Sequence, residues 1–158
     1  MRFIKLAFIS LILLFAVVTA ISLIIPSHIR LSKVVTTVPQ KDSIFSLIKN
    51  KEQWPQWHPS FVNGANNEIL SRINLELIAE TDSSLQMRWM QNDKKPLNMY
   101  WQIFADENSA TLQWSIDFYQ KWYPWQKISS LLYEGNYGVM MEQGLANIKA
   151  IVEKNRPL

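Results

Sequence analysis

The 158-residue sequence contains no cysteine. That one absence excludes disulfides, thiolate metal sites and a cysteine nucleophile. Histidine is nearly as scarce, with only His28 and His58, so a zinc site is not expected. The four glycines, Gly64, Gly135, Gly138 and Gly144, form neither a phosphate-binding loop nor a dinucleotide fingerprint. No Gly-x-Ser-x-Gly occurs, which leaves no sign of a serine hydrolase. There is also no excess of charge of one sign. Arg2 and Lys5 precede a hydrophobic run, and from Ser27 onward 14 Lys and Arg face 13 Asp and Glu. A nearly neutral domain lacks the basic footprint of a nucleic-acid binder. No metal, cofactor or nucleic-acid partner is expected.

What the chain does have is a hydrophobic N-terminus and an unusual supply of large apolar side chains, seven Trp and six Met. Residues 6 to 25 carry no charge, and 14 of these 20 are Leu, Ile, Phe or Val. As a helix the run would span ~30 Å, the thickness of a bilayer core. Each large apolar residue contributes about −0.3 to −0.6 kcal/mol on an insertion scale. Pro26 ends the run. A cleaved signal peptide is the competing reading, since Val18-Thr19-Ala20 fits a small-residue cleavage site. Cleavage there would leave Ile21, Leu23, Ile24 and Ile25 as an exposed apolar terminus, so an uncleaved transmembrane anchor over 1–26 is expected. Arg2 and Lys5 favour an inside N-terminus against Arg30, Lys33 and Lys41, which leans towards an extracytoplasmic domain over 27–158.

That length suits one domain. The segment from His28 to Val38, rich in β-branched residues from Val34 onward, predicts a strand, stopped by Pro39. Ile44, Phe45, Leu47 and Ile48 give a short helical face after Asp42 or Ser43. Trp54-Pro55-Gln56-Trp57-His58-Pro59 is held to a turn by its two prolines, and 63–67 reads as a loop. Four alternating segments follow, around Ile73–Ile78, Leu85–Trp89, Met99–Ile103 and Leu112–Phe118. Short polar turns separate them, including 92–96, and imply an antiparallel meander. In the last segment Leu112, Trp114, Ile116 and Phe118 share one face, while Gln113, Ser115 and Asp117 share the other. Ile128 to Tyr133 is a shorter apolar segment. A final helix from about Tyr137 to Asn155 carries the stripe Met141, Leu145, Ile148 and Val152, with Gly144 marking a close approach to the sheet. The fold class is therefore α+β, with the stripe buried on the Trp- and Met-rich sheet face.

In that order of elements, the segments 34–45 and 54–59 and the helix residues Gln143-Gly144-Leu145-Ala146-Asn147-Ile148-Lys149 resemble the START-like helix-grip superfamily. The closest branch is that of polyketide cyclase/dehydrase and lipid-transport proteins (SRPBCC), whose bacterial members often carry an N-terminal hydrophobic helix. The resemblance implies a curved antiparallel sheet of five to seven strands wrapped around the C-terminal helix. Five strands are clear here, and 61–70 is the place for a sixth. It also implies an apolar cavity between sheet and helix, for a lipid, polyketide or other hydrophobic small molecule. The expected lining is Trp89, Trp101 and Trp114 on the sheet, Met141 and Leu145 on the helix, and Trp57 at the mouth. The first reading is thus a non-enzymatic, membrane-anchored binding module. A second is an interaction or stress-adaptation module with a filled core. A third is a cyclase-like enzyme using His58 or Asp117 as acid or base. Glu134 is a further carboxylate near the aromatic 118–125 segment, and the pairs Trp54/Trp57 and Trp122/Trp125 could instead meet a membrane or partner.

Overall fold

The computed structural model describes residues 2–64, 66–91 and 95–155; the expected loop 63–67 and turn 92–96 lie partly outside them. Contacts divide the chain into two compact units, residues 30–117 with 134–158 and residues 1–29 with 118–133.

The elements run α1 (Arg2–Ile24), β1 (His28–Thr37), α2 (Lys41–Lys49), α3 (Trp54–Trp57), α4 (Asn67–Ser71), β2 (Ile73–Glu80), β3 (Ser84–Gln91), β4 (Leu97–Ala105), β5 (Ala110–Tyr119), α5 (Pro124–Ser130) and α6 (Val139–Lys154). Five strands form one sheet in the order β1-β5-β4-β3-β2. The pairs β2/β3, β3/β4 and β4/β5 are antiparallel. β1 also runs opposite to β5, since Arg30 meets Asp117 and Ser32 meets Ser115. The meander is the one the alternation predicts. Among the described residues of 61–70 there is a short 3-10 turn (Val62–Gly64) and the start of α4, and no sixth strand.

In the larger unit the core lies between the sheet and α6. Met141, Leu145, Ile148 and Val152 are all buried, as their spacing predicts. The sheet face from which Trp114 approaches Gly144 of α6 also carries Leu112 and Ile116 of β5 with Met99, Trp101 and Ile103 of β4, all buried as well. Ser115 and Asp117 point to the opposite face yet are also buried. A ladder of polar partners covers them: Arg30 grips Asp117 through Nε and Nη2 at 2.6 and 2.7 Å. Ser32 bonds to Ser115 at 3.0 Å and receives a bond from Gln113 at 2.7 Å. β2 is one of the two edge strands. It buries only Ile73, shifts register between Leu77 and Ala79, and carries Glu76 and Glu80, features that discourage edge pairing.

A π-helical turn (Glu134–Gly138) precedes α6 and shortens the expected helix at its start. Lys33 bonds to Glu134 at 2.5 Å and to Glu142 at 2.7 Å, and these hydrogen bonds, Glu134 first, raise its pKa.

The smaller unit contains α1, the start of β1, the end of β5, and α5. α1 is long and apolar enough to cross a membrane and is almost wholly uncovered by protein. Phe118 packs on Tyr133 here at 4.6 Å between ring centroids, and His28 stacks on Tyr119 at 4.7 Å.

Candidate functional site between sheet and helix

The Trp54-Pro55-Gln56-Trp57-His58-Pro59 element is the pivot of the core. The indole N–H groups of Trp54 and Trp57 donate to the Ile48 and Leu47 carbonyls, both at 2.9 Å. These carbonyls belong to the last turn of α2, where a helix has no partner of its own for them. The Asn147 amide donates to the Trp57 carbonyl at 2.9 Å. A Cβ on Gly144 would lie 3.1 Å from Trp114 and 3.5 Å from Trp57. The 54–59 turn and the α6 segment, two of the three that carry the family resemblance, are therefore one latch: α6 gives up a side chain at 144 to admit two indoles, and its Asn147 ties down the turn that supplies one of them.

Around that latch the aromatic rings form a continuous cluster. Trp101 stacks on Trp114 at 4.4 Å, and Trp57 meets each of them edge-on at 5.8 Å. His58 stacks on Trp54 at 5.3 Å and lies 5.9 Å from both Trp89 and Trp114. Phe61 closes the group against Trp54, His58 and Trp89. Of the six residues expected to line a cavity, Trp57, Trp101, Trp114, Met141 and Leu145 are at most 1% exposed, while Trp89 is half-buried. The fold brings all six to one interior. The expected order of depth is reversed, however. Trp57, placed at the mouth, is fully enclosed because its N–H reaches inward to α2. Trp89 is the ring with access to solvent.

The interior is not wholly satisfied. Trp101 Nε1, Trp114 Nε1 and His58 Nε2 are buried and have no hydrogen-bond partner among the described residues. His58 Nδ1 accepts from the Ser60 N–H at 3.3 Å, so in the neutral ring Nε2 carries the proton. Burial pushes the His58 pKa down to about 4, against a weaker opposing backbone hydrogen bond. Three neutral N–H donors on adjoining rings thus lack acceptors, each at a cost of about 1–3 kcal/mol. Buried donors are almost always paired in native proteins.

The other carboxylates named by the sequence do not join this group. Asp117 lies on the opposite sheet face, clamped by Arg30, whose guanidinium also sits 4.9 Å over the Tyr100 ring. Glu134 is paired with Lys33. Among acid/base candidates only His58 reaches the interior, so the enzyme reading loses Asp117. A separate open cleft of about 680 Å³ lies between α2 and the β2–β3 turn. Its walls include Lys41, Asp42, Lys49, Glu80 and Asp82, and the pairs Lys41–Asp82 and Lys49–Glu80 cross it. That charged rim is unlike the apolar lining of a hydrophobic-ligand site.

No family model and no curated protein matches the sequence. Solved structures do. A START superfamily protein from Mycobacterium smegmatis superposes with a TM-score of 0.53 at 18% identity, over 79% of this chain and 99% of that one. The chain has the START-like helix-grip fold. The di-domain ARO/CYC StfQ from the steffimycin biosynthetic pathway has a TM-score of 0.59 at 9% identity over 80% of this chain. The chain spans about half of StfQ, 51% of its length. The Zhui aromatase/cyclase from Streptomyces has a TM-score of 0.50 at 11% identity, covering 83% of this chain and 99% of that one. In this helix-grip fold the grip is formed by β4, β5 and α6, and the aromatic cluster fills its centre.

The unpartnered donors were not legible in the sequence, because each depends on where a neighbouring acceptor happens to lie. The indole bonds of Trp54 and Trp57 could have been suspected, since Leu47 and Ile48 end a helix only a few residues before them.

Proposed function

We propose that this domain binds a hydrophobic small molecule or lipid bearing a hydrogen-bond acceptor, between sheet and α6, while α1 holds the chain in a membrane. The reading gives Trp57, Trp89, Trp101, Trp114, Met141 and Leu145 to the ligand's apolar body. The observation that carries it is the trio of buried N–H donors on His58, Trp101 and Trp114. In an apolar interior, a few placed polar groups are what orient a ligand, and here all three are donors. The preferred group is therefore a carbonyl, ester or ether oxygen. A carboxylate would carry its charge into a region that already keeps His58 neutral. The helix-grip resemblance, with its implied apolar cavity, supports the same place. Entry requires the rings to part, and the half-buried Trp89 is where they would open.

One observation favours a second reading, an interaction module with a filled core: five of the six lining residues are at most 1% exposed. One experiment separates the two. The full chain in detergent is offered methyl oleate or oleic acid and examined by native mass spectrometry, beside Leu145→Trp. Ligand binding predicts a one-to-one adduct on the parent, stronger for the ester, and its loss in Leu145→Trp with little change in melting temperature. In a filled core the same substitution is overpacking, at a cost of about 1–3 kcal/mol, and the parent carries no adduct.

A further inference from the structure

α5 is built inside out. Its buried face is Pro124, Lys127 and Ser130, while Trp125 and Ile128 are exposed. Trp122, Trp125, Leu131 and Leu132 are between 62% and 68% exposed, and Tyr119 is 59% exposed. In water an amphipathic helix turns these faces the other way. The exposed rings are also ordered among themselves, with Tyr123 stacked on Trp125 at 5.0 Å and Trp122 at 5.0 Å from Tyr123.

What lies under the polar face says what covers the apolar one. Lys127 Nζ donates to the Ile25 carbonyl at 2.5 Å and to Ser27 Oγ at 2.8 Å. A cation thereby caps the free carbonyl end of α1, where the helix dipole is negative. α5 packs against α1, and the residues that lose exposure there are Val18, Thr19 and Ser22 of α1 and Ile25 just after it. These positions cover the last ~10 Å of the helix axis. If α1 spans the bilayer, that stretch is the boundary between hydrocarbon and headgroups, the level at which Trp and Tyr collect.

We propose that residues 119–132 form a second membrane contact, an interfacial helix that lies in the leaflet where α1 ends, with Trp122, Trp125, Ile128, Leu131 and Leu132 in the lipid. The occupant of this apolar face is then the bilayer itself. Lys127 fixes the depth, since it is bonded to the end of the span. The proposal rests on α1 being a membrane anchor and deepens that part of the function, adding a second lipid contact to the span.

The absence of native cysteine makes the test clean. Leu132→Cys, Trp125→Cys, Leu13→Cys and Glu107→Cys are each labelled with an environment-sensitive fluorophore in the full chain. They are reconstituted in phosphatidylcholine vesicles and quenched with aqueous iodide or with spin-labelled lipids. Leu13 reports on the middle of α1, and Glu107 on an exposed turn of the other unit. The expected result is lipid quenching at Leu13, and shallow lipid quenching at Leu132 and Trp125 with iodide access several-fold below that of Glu107. If Leu13 is quenched by lipid while Leu132 and Trp125 are as open to iodide as Glu107, the anchor stands and the interfacial helix is overturned. If Leu13 is itself open to iodide, the anchor fails and the proposal falls with it.

Discussion

Gly144→Ala sets two effects of similar size against each other. Alanine is about 1 kcal/mol better than glycine in a helix interior, and position 144 lies within α6. The new methyl would stand 3.1 Å from Trp114, 3.4 Å from Pro59 and 3.5 Å from Trp57, where carbon contacts are relaxed at about 3.5–4.0 Å. Trp114 has no room to yield, being fully buried, stacked on Trp101 and edge-on to Trp57. Overpacking of this kind costs about 1–3 kcal/mol. The balance is a net loss of about 1 kcal/mol, or a melting temperature lower by roughly 4 °C for a domain of this size. Thermal melts of the full chain in detergent, followed by near-ultraviolet dichroism of the tryptophans, read it directly. In a Trp114→Phe background, which removes the offending ring edge, the same change should be neutral or stabilising. A rise in melting temperature for Gly144→Ala alone would refute the close-packed latch.

Acidification should weaken the fold through His58. Its pKa is about 4 when folded against an ordinary 6.5, so the unfolded chain binds more protons between these values. The contribution is present above pH 6.5, falls as pH drops to 4, and totals about 3 kcal/mol; His58→Phe should flatten that part of a stability–pH curve, and an unchanged slope would place the imidazole in solvent. Arg30→Ala should cost more than Asp117→Asn, because the Asp117 side chain is 1% exposed and that of Arg30 is 52% exposed. Removing the arginine strands a buried carboxylate, at up to about 3–5 kcal/mol, whereas removing the carboxylate frees a cation that water can reach. Equal losses in urea titrations would contradict that asymmetry.

Periodicity made much of this fold legible. The β5 alternation and the α6 stripe each have a period that only one structure satisfies, and Leu112, Trp114, Ile116, Met141, Leu145, Ile148 and Val152 are all buried as expected. β2 was less faithful: Leu75 and Leu77 alternate correctly but sit on an edge strand, where Leu77 stays exposed. Ser115 and Asp117 were read as an outer face, which they are, but their burial under Arg30 and Ser32 depends on β1 pairing from far along the chain. The α5 segment was legible only as an aromatic stretch followed by a short apolar one, with Trp122 and Trp125 as candidates for a membrane or partner surface, and both are exposed. Its apolar residues are outside because Lys127 is needed at the end of α1, a long-range bond that local pattern cannot express. The depth of Trp57 likewise follows from the Leu47 carbonyl, and the orphan donors from the lack of any such partner for Trp101 and Trp114 among the described residues.

The indole N–H signals provide the most direct test of a ligand between sheet and helix. In ¹H–¹⁵N spectra of the full chain in detergent, Trp→Phe variants assign the resonances of Trp54, Trp57, Trp101 and Trp114. Trp54 and Trp57 already donate to Ile48 and Leu47 and serve as internal controls. Titration with a long-chain ester should move the Trp101 and Trp114 signals downfield to saturation, as their N–H groups gain an acceptor, and leave the two controls nearly in place. Spectra in which all four signals stay fixed at saturating ester would contradict the ligand-binding account.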